Sequence, residues 1–292
     1  INLSDLDTTC SPAVDFYQYA TGGWQKNNPL KPEYARFGSF DILNENTENR
    51  LNELFKEMTE MKTAKGTVEQ KISDIYKMGL DSARLNAEGF APVQKYLDQV
   101  YAVNDKASLV KLVADMHNEG LSPFFGAFVM ADLMNSDMQI LYLTQSGLGI
   151  GDRDYYLDPA SAEIKQGYLN FLTRVFGLAG VPEPEKALDV ETQIATASWT
   201  RVQERDMEKI YNPTNTPALE KAYEGFDFTS YFAARNIADQ AKLVVCEPSF
   251  FEAFSKYFAE ADINVLKDYL AGQLIQDACG AVSDDFYDAS FD

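Results

Sequence analysis

The residues that could do chemistry are few and poorly grouped. Residues 147–159 read GLGIGDRDYYLDP, with glycines at 147, 149 and 151 running straight into Asp152, Arg153 and Asp154. A glycine-rich loop can close backbone N–H groups on a phosphate, with a helix N-terminus behind it and a Lys to finish the site. Here two aspartates would repel the anion and no Lys follows. A calcium loop fares no better, because Tyr156 stands where a third ligand belongs and no glycine comes after it. The sequence has one histidine, His117. A zinc site of the H-E-x-x-H type needs two, and a Ser-His-Asp site would need this one as its base. His117 falls near the end of an apolar-striped helix that stops at Gly120, where interaction with the C-terminal end of the helix dipole is expected. Cys10, Cys246 and Cys279 are too scattered for a disulfide framework or a C-x-x-C metal site. Cys246 and Cys279 lie in apolar surroundings and read as buried thiols, whereas Cys10, in a polar segment, is the better candidate for a bond outside the chain.

The elements that must position these residues are mostly helical. Leu51, Leu54, Phe55, Met58 and Met61 recur at three- and four-residue spacing and predict an amphipathic helix over 47–62. Thr67 and Gln70 form a capping box ahead of Ile72, Ile75 and Tyr76. Further helices are predicted over 84–100, 108–118, 161–177, 184–205 and 249–260, the last opened by Pro248. FFGAFVMAD and DMQILYLTQ flank LMNS and read as a β-hairpin feeding the glycine loop. From residue 263 a helical rhythm runs almost to Asp292 with no capping signal, which reads as a cut and not a natural terminus. With 292 residues, 46% of them hydrophobic, a real core is expected in one large domain or two ordinary ones. Asp and Glu outnumber Lys and Arg by 45 to 25, and the net charge of −20 argues against nucleic acid or an anionic membrane surface as partner. No apolar run is long enough to span a membrane.

Four stretches together resemble the neprilysin and endothelin-converting-enzyme family of zinc metalloendopeptidases, including its bacterial oligopeptidase members. They are CSPAVDFYQYATGGWQKNNPL (10–30), ARFGSFDILNE (35–45), LTQSGLGIGDRDYYLDP (143–159) and ETQIATASWTRVQERDMEKIYNPT (191–214), in the family's order across essentially the whole chain. The resemblance implies a mainly α, multi-helix domain with a small antiparallel β-hairpin, the N-terminal helical domain of such an enzyme. Residues 1–25 would pack on a catalytic domain, and 26–292 would form the wall of an enclosed substrate chamber. The glycine loop would then be architectural and bind no nucleotide. Arg153 between its aspartates would tie the loop down by charge-assisted bonds while Tyr155 and Tyr156 bury their rings.

The family's zinc is held by the two histidines of H-E-x-x-H and a later Glu, all in a C-terminal part with no counterpart in this sequence. The resemblance therefore implies a zinc-dependent parent peptidase, placed outside the cytoplasm as a secreted, periplasmic or surface-anchored protein. The 292-residue chain itself would hold no catalytic or metal-binding residue and would be inactive alone. Its partners would be peptide substrates and the C-terminal catalytic domain. The family's substrate-binding Arg-x-x-x-x-Asp carries over to Arg36 and Asp41, an Arg fork for a carboxylate or carbonyl with an Asp to hold it. Asn44 stands where some members have a further Arg, which leaves recognition of a free C-terminal carboxylate open. Cys10 corresponds to a cysteine that often pairs with one near the far C-terminus. Trp24 and Trp199 are expected to anchor packing, and Arg201, Glu204, Arg205 and Asp206 to form a solvated or inter-helix ion network and not an acid/base pair. The alternative is a standalone, non-catalytic relative that holds peptides or a partner protein on its acidic helical surface.

Overall fold

The computed structural model describes residues 2–32 and 34–291. Ile1, Glu33 and Asp292, which fall within the domain spans expected above, lie outside the described residues. The chain divides into two compact units, Ile1–Asp81 and Ser82–Asp292, a boundary that no composition shift marks.

The first unit holds a short 3-10 turn, Leu3–Asp5, and three helices: α1 (Phe16–Asn27), α2 (Ser39–Glu60) and α3 (Val68–Gly79). The Asp15 side chain caps α1 by accepting from the Gln18 N–H at 2.9 Å. Gly23 lets α1 lie against the 3-10 turn, since a Cβ there would stand 2.2 Å from the Ser4 carbonyl oxygen. Helix α2 begins at Ser39, well before the expected residue 47, because Asp41 at its third position turns back to accept the Gly38 N–H at 2.7 Å. At the start of α3 the Thr67 hydroxyl accepts from the Gln70 N–H, while the Gln70 side chain accepts from Gly66 instead of Thr67. The box is therefore present with its second half shifted by one residue. Among the described residues, no large apolar side chain of this unit is fully buried; Phe40 is 79% and Ile75 71% exposed.

The second unit begins with α4 (Ser82–Glu88), α5 (Ala91–Ala102) and α6 (Lys106–Asn118), followed by the hairpin β1 (Phe125–Asp132) and β2 (Asn135–Gln145). Then come α7 (Asp154–Leu157), α8 (Ala162–Ala179), α9 (Pro184–Ala197), β3 (Asn212–Thr214), α10 (Thr216–Ala222) and α11 (Phe228–Ala234). β4 (Leu243–Val245), α12 (Pro248–Glu260), α13 (Ile263–Ala278) and α14 (Asp284–Ala289) complete it. Three of the expected helices are shorter than their periodicity. Gly89, at φ +54°, separates α4 from α5. Helix α9 stops at Ala197 because the Gln145 side chain takes the Trp199 N–H at 2.6 Å and draws the chain toward the sheet. The final rhythm breaks at Val282, which is extended, and resumes in α14.

The hairpin has the expected antiparallel register, Phe125↔Gln145 through Ala131↔Gln139, but it belongs to a four-stranded sheet of order β1-β2-β4-β3. β4 joins β2 in parallel and β3 joins β4 antiparallel; each is three residues long, too short for a periodicity signal. One sheet face, with Leu141, Leu143 and Val245, packs into the helical core. There Phe125 meets the rings of Phe226, Phe228, Tyr231, Phe251 and Phe254 at centroid distances of 5.2–5.7 Å. The other face holds a small cluster of Ile140, Tyr142, Val244 and Cys246. No helix among the described residues is long and apolar enough to cross a membrane.

Candidate functional site

Arg36 sits in the loop before α2 and lines a cleft of about 700 Å³ within the first unit, together with Tyr17, Trp24, Leu30 and Phe37. The loop is fixed at both ends. Lys31 pairs with Glu45, and the Tyr34 hydroxyl donates to the same carboxylate at 3.0 Å, so a side chain on α2 anchors the loop's start. The Lys31 ammonium at its Oε1 holds the Glu45 carboxyl below the usual carboxylate range. Asp41 anchors the other end through Gly38. The Phe37 ring stacks on Trp24 at 6.4 Å and meets Tyr34 edge-on at 5.1 Å.

Asp41 therefore does not pair with Arg36 as the sequence suggested: its Oδ2 is committed to the helix start, and it positions the Arg-bearing loop instead of the guanidinium. Among the described residues Arg36 makes no hydrogen bond or ion pair, and its side chain is exposed. Asn44 lies on the exposed side of α2 and does not line the cleft. Glu45 was not found from the sequence; its only signal there is a carboxylate one turn beyond Asp41 on the same helix.

The glycine loop does hold an anion, an internal one. The Gly149 N–H donates to Glu191 Oε2 at 3.0 Å, and the Tyr156 hydroxyl donates to the same oxygen at 2.5 Å. Glu191 Oε1 accepts from the Tyr168 hydroxyl at 2.9 Å and the Gln273 amide at 3.1 Å. Glu191, on α9, is 1% exposed. Burial pushes its carboxyl up, and the four donors oppose that shift. Gly149 is glycine for space: a Cβ would stand 1.9 Å from the Tyr168 hydroxyl oxygen. Gly147, at φ +91°, is held by Tyr269, whose hydroxyl accepts from the Phe124 N–H and donates to the Gly147 carbonyl, both at 2.9 Å. The signal for this site in the sequence is a carboxylate among Ala187, Leu188, Ile194 and Ala195 on one helix face.

Other expectations need correction. Arg153 does not bridge its flanking aspartates; its Nε donates to the Ala195 carbonyl at 3.2 Å, and Arg201 pairs with Asp152 at 2.5 Å. Tyr156 is buried but Tyr155 stays 36% exposed, because the short α7 turns it outward. Of Arg201, Glu204, Arg205 and Asp206, two enter solvated ion pairs with residues outside the set, Arg201 with Asp152 and Asp206 with Lys209, while Glu204 accepts from Gln145. His117 does end a helix, yet burial pulls its pKa down to about 4, so it is neutral at pH 7 and brings no charge to the helix dipole. Its Nε2–H donates to the Pro123 carbonyl at 3.1 Å, which leaves Nδ1 to accept from Tyr231, itself an acceptor from Arg235. Glu247, 2% exposed beside β2, accepts from the Gln145 N–H at 2.8 Å, and burial pushes it up to about 7.

These side chains do not fit a zinc. Both nitrogens of the single histidine are engaged, and no group of three or more His, Cys, Asp or Glu side chains among the described residues could hold a metal ion. Trp24 and Trp199 are half-buried, and the Trp199 indole N–H donates to Ser249 at 2.7 Å. Cys246 and Cys279 are buried free thiols, and Cys10 is free and partly exposed.

Known proteins match the chain over nearly all of its length. It is 27% identical over 307 aligned residues to human endothelin-converting enzyme 1, an alignment covering 98% of this chain and 39% of that protein. The crystal structure of the Mycobacterium tuberculosis zinc metalloprotease ZMP1 in complex with an inhibitor superposes with a TM-score of 0.92 at 25% identity, covering all of this chain and 46% of that one. PepO of Lactobacillus rhamnosis shares the fold, with a TM-score of 0.74 at 18% identity over 98% of this chain and 45% of its own. The chain thus spans about two fifths of the length of the curated relatives it matches. A family model covers residues 12–292, and by that match the chain belongs to Peptidase family M13.

Proposed function

We propose that this chain is the N-terminal helical part of a zinc-dependent metalloendopeptidase that hydrolyses peptides, and that it forms the wall of an enclosed substrate chamber. The zinc and the catalytic residues belong to a C-terminal catalytic domain outside this chain, so the chain alone is inactive. The parent acts outside the cytoplasm. The match of residues 12–292 to Peptidase family M13 carries this reading. The apolar side chains that the first unit leaves exposed support it, since a surface of that kind is one that another domain covers. Within the wall, Arg36 binds the substrate through a carboxylate or carbonyl and Asp41 sets the loop that presents it, while Asn44, off the cleft on α2, adds no second cation for a free carboxylate. An Arg fork with no internal partner, at the mouth of a cleft, is chemically suited to that task.

The test uses the full-length protein, with zinc quantified and cleavage of a fluorogenic peptide followed. One zinc per chain and activity that a chelator abolishes are expected. Arg36→Ala raises KM with kcat little changed, as loss of uniform binding requires. A full-length protein without zinc or peptidase activity would overturn the reading in favour of a binding protein, and unchanged kinetics for Arg36→Ala would remove that residue from the site.

A further inference from the structure

We propose that the outer edge of β1 binds an extended, neutral or basic peptide segment as an added strand, a second peptide site on the second unit that does not depend on the cleft at Arg36. β1 is the end strand of the sheet. The direction of its backbone groups follows from β2. The Leu143 carbonyl accepts from the Cys246 N–H, and the Gln145 N–H donates to Glu247, so both residues turn toward β4. Their partners across the hairpin, Ala127 and Phe125, must therefore turn away from β2, and the two-residue period carries this on to Val129 and Ala131.

Of the outward groups, the Phe125 N–H is taken by the Pro123 carbonyl and the Ala131 carbonyl by the Tyr142 hydroxyl. The N–H and C=O of Ala127 and of Val129 have no hydrogen-bond partner among the described residues. Two consecutive outward residues with free donor and acceptor are what an incoming strand needs to continue the ladder.

Charge and proline, two of the usual edge defences, are missing here, and the register shifts only at Ala131/Asp132, past the free groups. Phe125–Ala131 reads FGAFVMA, with no charge and no proline. Val129 is 66%, Phe128 43% and Met130 38% exposed, so apolar side chains stand on both faces of the open edge. Backbone pairing requires the guest to be extended, and these side chains favour apolar residues at its alternate positions. Charge decides between guests. A second copy would bring together two chains of net charge −20, and an acidic peptide meets the same repulsion, whereas a neutral or basic segment does not.

The test is fluorescence anisotropy of a fluorescein-labelled peptide, Lys-Lys-Ser-Val-Thr-Val-Ser-Lys-Lys, titrated with the 292-residue chain, beside a peptide with Glu in place of Lys. Saturable binding of the basic peptide is expected, with the acidic one weaker and the gap closing in high salt. Val129→Pro removes an outward N–H without touching the β1–β2 ladder, and Val129→Lys keeps the N–H but adds a repelling charge. Each should weaken binding by roughly tenfold, the loss of one or two hydrogen bonds or a like-charge contact. Met134→Ser, in the exposed turn off the ladder, should leave it unchanged. The proposal is overturned if the wild-type chain shows no saturation. It is equally overturned if both Val129 variants, folded by circular dichroism, bind within about twofold of wild type. Sedimentation showing a wild-type dimer that Val129→Lys dissolves would give the edge to a second copy instead.

Discussion

Replacing Glu191 with Ala is the sharpest probe of how the glycine loop is held. The substitution removes the acceptor of four donors in a site 1% exposed. Two of them have somewhere else to go. Tyr168 can turn its proton to Gln276 Oε1 at 3.1 Å, and Gln273 is partly exposed and can reach water. The Gly149 N–H and the Tyr156 O–H have no second acceptor among the described residues. At about 1–3 kcal/mol for each buried donor left unsatisfied, and with part of the cost returned by no longer burying a carboxylate, the loss should be about 3 kcal/mol. Glu191→Gln keeps the shape and one carbonyl for that pair, and places its amide toward the two donors that can move; it should cost about 1 kcal/mol. The assay is urea unfolding in a Trp24→Phe background, where Trp199 is the only tryptophan and reports on the second unit alone. With an m-value near 2 kcal/mol/M, the Ala variant's midpoint should fall by roughly 1.5 M and the Gln variant's by roughly 0.5 M. Equal losses for the two variants, or an Ala midpoint within about 0.2 M of wild type, would refute the reasoning, because the loop would then not depend on the carboxylate.

Glu247 and His117 should give the second unit opposing pH dependences. Held near 7 against an ordinary 4.5, Glu247 contributes stability that is full below pH 4.5 and fades as pH rises through 7, about 3 kcal/mol in all. His117, lowered to about 4 from 6.5, contributes stability that is full above pH 6.5 and is lost as pH falls through 4. Glu247→Gln should therefore gain on wild type between pH 5 and pH 8 in urea midpoint, and parallel curves would show that Glu247 titrates normally. Gly149→Ala, with its Cβ 1.9 Å from the Tyr168 oxygen, should cost about 3 kcal/mol or more; Gly151→Ala, with open space but φ +83°, should cost about 1 kcal/mol. Circular-dichroism melts of both would reveal whether space or backbone conformation governs each glycine. Asp41→Ala should destabilise α2 by about 1 kcal/mol by freeing the Gly38 N–H, so its effect on peptide KM is interpretable only beside that of Arg36→Ala, which breaks no hydrogen bond or ion pair among the described residues. In the native chain a thiol reagent should modify Cys10 alone, since burial lifts Cys246 to about 12 and Cys279 to about 11; three fast thiols would mean the core opens.

What the sequence revealed followed from periodicity and local signals. Helices with an apolar stripe were found, as at 108–118 against the observed Lys106–Asn118, because the side chains that make them helical are neighbours in the chain. The breaks were missed where the cause is remote. Nothing near Ala197 ends α9; Gln145, on a strand more than fifty residues earlier, does. β3 and β4 were missed for the same reason, being three-residue segments that become strands only through pairing with the hairpin. At the candidate site, Arg36 and Asp41 were found by resemblance, but the part Asp41 plays was assigned from charge alone. An Arg and an Asp five residues apart suggest a pair, and the helix boundary between them gives the carboxylate a nearer donor.

The glycine loop shows why a motif can be read correctly in its chemistry and wrongly in its partner. Alternate glycines suggest backbone N–H groups gathered on an anion, and Asp152 and Asp154 beside the loop argue against an external one. Asp152 is engaged elsewhere: it caps the Asp154 N–H and pairs with Arg201. The anion is Glu191, supplied by a helix forty residues on and held by two tyrosines and two amides of the same unit. A carboxylate so enclosed leaves Gly149 no amide to offer a nucleotide or a substrate, and through it the loop ties α7, α8, α9 and α13 to one another. Free backbone donors and acceptors in consecutive outward positions lie instead at Ala127 and Val129, on the outer edge of β1.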